Sequence, residues 1–239
     1  LRSIDIPDSV TDLGSRSFLG CTSLQALSLS SSLSRVDEYA FYNCSSLENL
    51  TIPASVTNVG AAAFMYCTSL RRLSIHASDM TFALLNGLST AFWHLSGLKE
   101  LYLNMRQVEE EKLFMQTYFH DSWASLEKVS IGEAVTKIGD FAFSECTALK
   151  HIDIPGSVKS LGERLCDGCT SMALLRIPDS VSSIGKAAFQ HCSSLRALTI
   201  PDSVVSIGHH LCYGCSSLRS LEISANVSDL PGSVFARCS

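Results

Sequence analysis

The sequence predicts an α/β solenoid of ten stacked coils, with a parallel β-sheet on one face and short helical or 3₁₀ turns on the other. Three observations carry this prediction. Cys21, Cys44 and Cys67 stand 23 residues apart, and Cys146, Cys169, Cys192, Cys215 and Cys238 keep the same step. Pro155, Pro178 and Pro201 repeat it, and Pro7 and Pro53 differ by two steps. Cut at the leading apolar residue, the chain divides without remainder into units that begin at Leu1, Leu24, Leu47, Leu70, Leu98, Leu126, Leu149, Met172, Leu195 and Leu218. Self-similarity at a fixed period of this length is the mark of stacked repeats. The reading is one continuous domain over 1–239, with regular 23-residue coils in 1–69 and 126–239 and two 28-residue coils in 70–125.

The unit reads L-x-x-L-x-I-P-x-S-V-x-x-I-G-x-x-A-F-x-x-C-x-S. Positions 4 and 6 are apolar throughout and alternate with period two, as a short strand with one buried face requires. Proline at position 7 cannot donate to a ladder and ends the strand. Asp-Ser after it, as in Asp8-Ser9, Asp179-Ser180 and Asp202-Ser203, forms local turns. Gly14, Gly60, Gly139, Gly162, Gly185 and Gly208 read as a bend needing an unusual backbone angle. The A-F-x-x-C stretch has i, i+3 spacing, which predicts one helical or 3₁₀ turn. One coil cannot bury its own apolar edge, but a stack can. Ten coils at strand spacing would extend ~43 Å.

The residues L-R-A-L-T-I-P-D-S-V-V-S-I-G at 195–208 and the recurring A-F-x-x-C-S-S-L resemble the BspA-like class of leucine-rich repeats, known from surface proteins of bacteria and protists. Unit length and the Pro, Gly, Phe and Cys positions all agree, and there is no Asn ladder after the strand. The resemblance implies a leucine-rich-repeat solenoid that binds proteins or host-matrix components without catalysis, and it carries over no site residues. The units 70–97 and 98–125 depart from the pattern, with Leu95 and Trp123 at the Cys position and His76 and Asn104 at the Pro position.

Composition narrows the function classes. Net charge is −5, which argues against a nucleic-acid surface, since phosphate contacts need a basic face. The apolar residues are dispersed, with no run long enough to cross a bilayer. No nucleophile motif, P-loop or dinucleotide fingerprint is present, so no enzyme activity and no cofactor are expected. The C-x-x-C pairs Cys166–Cys169 and Cys212–Cys215 lie two coils apart, roughly 10 Å, too far to share one zinc. Cys166 and Cys212 occupy the Phe position held elsewhere by Phe18, Phe41, Phe64, Phe143, Phe189 and Phe235, and the preceding Ala grows to Leu165 and Leu211. That is a volume-conserving core swap; no metal site is expected. A regular ladder reads as buried reduced thiols, and the i, i+3 pairs alone have the proximity to bridge. Sequons at Asn43, Asn49 and Asn226 matter only if the chain is secreted. The acidic run Glu109-Glu110-Glu111 lies in an expected amphipathic helix, Gln107–Trp123.

The expected partner is another protein. Positions 3 and 5 project from the strand face, and the middle of the chain there carries Arg72, Tyr102, Lys128, His151 and Arg176, types that include binding hot-spot residues. The long coils add Trp93 and Trp123, within an aromatic-rich stretch that includes Phe82, Phe92, Phe114 and Phe119. These seven residues are the candidate binding set. Both ends stop at repeat boundaries without a polar cap, so flanking sequence, a large assembly or end-to-end contacts are expected there. The resemblance favours a surface or secreted location, and the cysteine ladder favours an intracellular one.

Overall fold

In the computed structural model the described residues are 1–77, 81–82, 84–85, 88–105 and 123–238. The expected helix at 107–123 lies almost wholly outside them. The described residues fall into two compact units, 1–105 with 123–125 and 126–238.

Each repeat begins with a short strand. In the first unit these are β1 (Ser3–Asp5), β3 (Ala26–Ser28), β5 (Asn49–Ile52), β7 (Arg72–Ile75) and β11 (Glu100–Leu103). Pairing is parallel, and the register is the repeat length itself: Ser3 faces Ala26, Asn49 faces Arg72, and Arg72 faces Glu100. In the second unit β12 (Lys128–Ile131) pairs with β14 (His151–Asp153), and β16 (Leu174–Arg176), β18 (Ala197–Thr199) and β20 (Ser220–Glu222) pair in order. The eBeB burial of β5 and the eBiB burial of β7, β11 and β12 put positions 4 and 6 in the core and 3 and 5 outward, as the alternation predicts. Proline then starts a turn, its carbonyl accepting from the valine three residues on: Val10 to Pro7, Val181 to Pro178, Val204 to Pro201.

A second two-residue ladder follows, which the sequence reading did not foresee. It comprises β2 (Asp12–Leu13), β4 (Arg35–Val36), β6 (Asn58–Val59) and β8 (Thr81–Phe82) in the first unit. Its counterparts in the second are β13 (Lys137–Ile138), β15 (Ser160–Leu161), β17 (Ser183–Ile184) and β19 (Ser206–Ile207). The signal was the apolar residue at position 13. The coil with both strands thus recurs eight times among the described residues, fewer than the ten predicted. Unit 98–125 is largely outside them, and unit 218–239 forms no second strand. The longer unit 70–97 also forms an antiparallel pair, β9 (Leu84–Leu85) with β10 (Leu88–Ser89).

The predicted helical or 3₁₀ turns are not what A-F-x-x-C adopts, and the described residues contain no helix. The stretch is a run of overlapping β-turns, in which Ser17, Leu19 and Cys21 donate to Gly14, Arg16 and Phe18. The alternate amides point the other way. Arg16, Phe18 and Gly20 donate to Glu38, Ala40 and Tyr42 of the next coil, and Arg164, Cys166 and Gly168 to Lys186, Ala188 and Gln190. A helix would keep every amide within its own turn; here half of them join coils. The peptide flips need two left-handed residues in the regular coils, as in Arg16 and Gly20, Tyr39 and Asn43, Ala62 and Tyr66, Ala187 and His191, whereas among the described residues of the longer unit 70–97 only His94 is left-handed. Non-glycine residues pay roughly 1 kcal/mol or more for this conformation, which the inter-coil hydrogen bonds offset.

The position-14 glycines have a different reason from the one expected. None of Gly60, Gly162, Gly185 and Gly208 needs a positive φ. A Cβ on Gly208 would lie 2.3 Å from the Lys186 amide nitrogen, and one on Gly185 2.5 Å from that of Glu163. The previous coil's backbone passes too close for a side chain.

Candidate binding surface

The strand face of the first unit carries small polar residues at position 5, Asp5, Ser28, Thr51 and Ser74, and then Tyr102. The Tyr102 ring lies 4.8 Å from the His76 ring, tilted 37°. Arg72 Nε is 3.1 Å from Glu100 Oε2, and both side chains are about half exposed or more. Screening makes such a pair worth little to stability. On the second unit Lys128 Nζ is 3.5 Å from Asp153 Oδ2, and Ser130 donates to the same oxygen at 3.0 Å. His151 and Arg176 are exposed. The set Arg72, Tyr102, Lys128, His151 and Arg176 is therefore divided between the units, two on the first and three on the second.

The two tryptophans are placed differently. Trp93 is half-buried on the turn side, its ring 6.3 Å from His94 and perpendicular to it. Trp123 is only 8% exposed, and its ring is core. Phe114 and Phe119 lie outside the described residues.

Two surface features were not among the candidate binding residues. One is a half-exposed aromatic row on the turn side of the first unit. Arg16 lies over Tyr39, Tyr39 contacts Tyr42, Tyr42 meets Tyr66 edge-on at 5.5 Å, and Tyr66 stacks on His94 at 4.6 Å. Tyr42, Tyr66 and His94 fall at the two x positions of A-F-x-x-C, which a consensus discards. The other is Leu174, 62% exposed at position 3 of the second unit's strand face.

The thiols build the inside of the turn side. Cys44, Cys67, Cys169, Cys192, Cys215 and Cys238 donate from Sγ to the position-18 carbonyl of the preceding coil, at 3.1–3.4 Å. A small buried residue with a weak donor fits this place. All ten cysteines are unpaired. Burial pushes the Cys44 thiol up to about 12, and pushes Cys67, Cys146 and Cys192 up as well. In the C-x-x-C pairs the hydrogen bond to Cys169 or Cys215, reinforced by burial, holds the proton on Cys166 or Cys212. The sulfurs that receive those bonds move the other way: hydrogen bonds from Cys146 and Cys166 lower Cys169, and one from Cys212 lowers Cys215. The protonated members are poor nucleophiles, and Cys169 is itself buried.

Beside Cys169, the carboxylate of buried Asp167 meets His191 Nδ1 at 3.2 Å and Arg164 at 3.6 Å. His209 and His210 lie one coil on, with His210 against Tyr213. Among the described residues no three His, Cys, Asp or Glu side chains are placed to hold a metal ion. No described helix is long and apolar enough to cross a membrane.

Among curated proteins none matches the chain. Solved structures do. A leucine-rich repeat protein from Bacteroides ovatus is 20% identical, with 94% of this chain and 79% of that one covered and a TM-score of 0.45. The pneumococcal vaccine antigen PcpA is 21% identical over 99% of this chain and 66% of its own, TM-score 0.46. A leucine rich cell surface protein from Faecalibacterium prausnitzii is 23% identical over 95% and 80%, TM-score 0.45. The sequence pattern of the BspA type leucine rich repeat region matches residues 1–110 and 112–239 in six copies. With nearly every residue matched, and with Pro, Gly, Phe and Cys each given a structural task in the coil, the chain belongs to the BspA-type leucine-rich-repeat family.

Proposed function

We propose that this chain is a non-enzymatic protein-binding module of a cell-surface or secreted protein, one continuous solenoid over 1–239 that engages its partner through the strand face or the irregular coils 70–125. The supporting observation is the division of labour within each coil. Positions 4 and 6 fill the core, while positions 3 and 5 stand outward in exact 23- or 28-residue register, where the backbone makes no demand on side-chain type. Such a face can change its side chains without changing its fold. The candidate contacts are Arg72 and Tyr102 on the first unit, Lys128, His151 and Arg176 on the second, and Trp93 in the irregular coils. Trp123 belongs to the same irregular coils and is proposed to act by holding their shape. Site-specific photocrosslinkers at Tyr102 and Arg176, in cells that make the protein, should yield adducts that the same group at Arg237 on the turn side does not. Adducts from the turn side alone would overturn the reading.

The second reading is an architectural subunit or scaffold within a large intracellular assembly, favoured by ten unpaired cysteines. Intact mass of the natively sourced protein, denatured and alkylated without reduction, separates the two. Ten alkylated thiols and no glycan at Asn43, Asn49 or Asn226 support the intracellular scaffold. Missing alkylations or glycan mass support the surface module.

A further inference from the structure

We infer that the strand face of the second unit takes an extended acidic segment of a partner protein, with an apolar side chain of that segment seated against Leu174. The inference rests on the strand-face reading and gives it a chemistry.

Leu174 stands where the other units carry Ser3, Ala26, Asn49, Arg72, Glu100, Lys128, His151, Ala197 and Ser220. It is the one large apolar side chain in that row and is 62% exposed. Its register neighbour on β18 is Ala197, followed by Ser220 on β20. Two small side chains leave Leu174 standing proud, with open sheet on the side of the following coils.

The charge around it is cationic. Arg176 lies two residues along the same strand, and its side chain points to the same face. Arg196 and Arg219 open the next two coils, joined by the Arg219 amide donating to the Arg196 carbonyl at 2.9 Å. All three are exposed, and among the described residues none makes an ion pair. Two of the carboxylates of this face are paired with cations: Glu127 holds Lys150 at 2.7 Å, and Asp153 holds Lys128. Glu222 accepts only from the Thr199 hydroxyl, at 3.2 Å, and keeps its charge. Three unpaired arginines against that one carboxylate leave the face net positive, on a chain whose net charge is −5.

The spacing suits an extended chain laid across the strands. Coils recur every ~4.8 Å, and an extended segment advances ~3.4 Å per residue. An apolar residue on Leu174 therefore brings acidic residues two to four places away over Arg196 and Arg219. Guanidinium forks bind carboxylates in bidentate fashion, which fixes the segment's direction as well as holding it.

The test uses the full 239-residue chain and three labelled ten-residue peptides, each with a central Leu flanked by Glu, Gln or Lys, read by fluorescence anisotropy. The Glu peptide should bind, the Gln peptide about tenfold more weakly and the Lys peptide not at all. Raising salt from about 0.05 M to 0.5 M should weaken the Glu peptide at least tenfold. The double variant Arg196→Glu, Arg219→Glu should weaken it at least tenfold, and Leu174→Asp should abolish it. Each variant is checked for an unchanged melting temperature, and Arg2→Glu on the first unit should leave binding intact. Glu-peptide affinity indifferent to the double variant overturns the inference. If the Gln or Lys peptide binds best and Leu174→Asp removes it, the strand face is a binding face but the charge assignment is wrong. If a heparin oligosaccharide binds there and the Glu peptide does not, the site takes polyanionic glycan and the inference fails. If no probe responds to any strand-face variant, the strand-face reading fails with it.

Discussion

Each unit has a column of side chains at the Phe position, and the two units fill it differently. In the first, Phe18, Phe41, Phe64 and Phe92 form an unbroken stack, with ring centroids 4.9, 5.2 and 5.5 Å apart and planes within 7° of parallel. In the second, the column alternates Phe143, Cys166, Phe189, Cys212 and Phe235. Leu165 and Leu211 precede the cysteines, where Ala142 and Ala188 precede the rings, and all four positions are buried. Position 20 alternates in phase. Gly168 and Gly214 sit in the cysteine coils, directly beneath the Glu145 and His191 side chains of the coils before. The first unit instead sets Asn43, Tyr66 and His94 there in succession, and stacks Tyr66 on His94. The column is thus constrained in volume and backbone path rather than in residue type, and the second unit solves that constraint with a period of two coils.

The largest effect should be alkaline. Free thiols ionise near pH 8.5 in an unfolded chain. Cys44, Cys67, Cys146 and Cys192 keep their protons to higher pH in the fold because burial disfavours the thiolate. Above pH ~8.5 the unfolded state therefore binds fewer protons than the native one, and stability falls as pH rises. Below that pH these four thiols contribute no slope. Cys169 and Cys215, lowered by hydrogen bonds from neighbouring thiols, bind fewer protons in the fold than in the unfolded chain and add stability as pH rises toward about 8.5. Urea midpoints should rise up to about pH 8.5 and drop steadily from 9 to 11, with alkylation of Cys67 and Cys146 following. A flat profile to pH 11 would show that the columns accommodate the thiolate. Next in size is Phe64→Ala, which removes a ring packed between Phe41 and Phe92; about 3–5 kcal/mol is expected. Cys166→Ala removes one sulfur from the same column in the second unit and should cost about 1–2 kcal/mol. Equal losses would mean that the ring stack has no special weight.

Much of this was legible because repetition averages out local ambiguity. Positions 4 and 6, the Pro stop, the coil register and the volume swap at Cys166 and Cys212 were all read from spacing. What was not legible is backbone geometry that no single residue type encodes. The left-handed positions 16 and 20 are filled by Arg16, Tyr39, Ala62, Glu145 and His191, none of which announces a positive φ. The turn ladder, set by contacts with the next coil, overrides the helical spacing of A-F-x-x-C. Gly208 was recognised as special, but its reason lies 23 residues away, at the Lys186 backbone. On the surface, the Tyr42–Tyr66 row occupies consensus x positions of the turn side, and a pattern built from what is shared cannot display what differs. Trp123 was nominated for its type, although its place at the Cys position of its unit already pointed to the core, where its ring is found.

The volume argument can be broken by one exchange. Cys166→Phe places a ring where Leu165 already fills the space, and overpacking of this kind costs about 1–3 kcal/mol. Adding Leu165→Ala recreates the Ala-Phe pair of the neighbouring coils, Ala142-Phe143 and Ala188-Phe189. The double variant should recover most of the loss, as a positive coupling in a double-mutant cycle followed by urea denaturation. Additive losses would mean that Leu165 and Cys166 are not the two halves of one space.

The smallest effect tests the phase of the alternation. Gly168 has φ +77°, and a Cβ there would lie 2.8 Å from the Glu145 carboxylate. Gly168→Ala therefore combines a left-handed alanine with a contact against a flexible side chain, and should cost about 1–2 kcal/mol. Gly156→Ala, with nothing within 4 Å of its Cβ and no positive φ, should be neutral or slightly stabilising. Replacing Glu145 by Ala in the Gly168→Ala background separates the two causes. The backbone share stays, because φ belongs to residue 168 itself, and only the contact share returns. If Glu145→Ala restores nothing, the glycine answers to its own turn alone. The two-coil period then describes the Phe and Cys column and stops there. If it restores part, the side chain of one coil has set the residue of the next, and the second unit is a repeat of coil pairs.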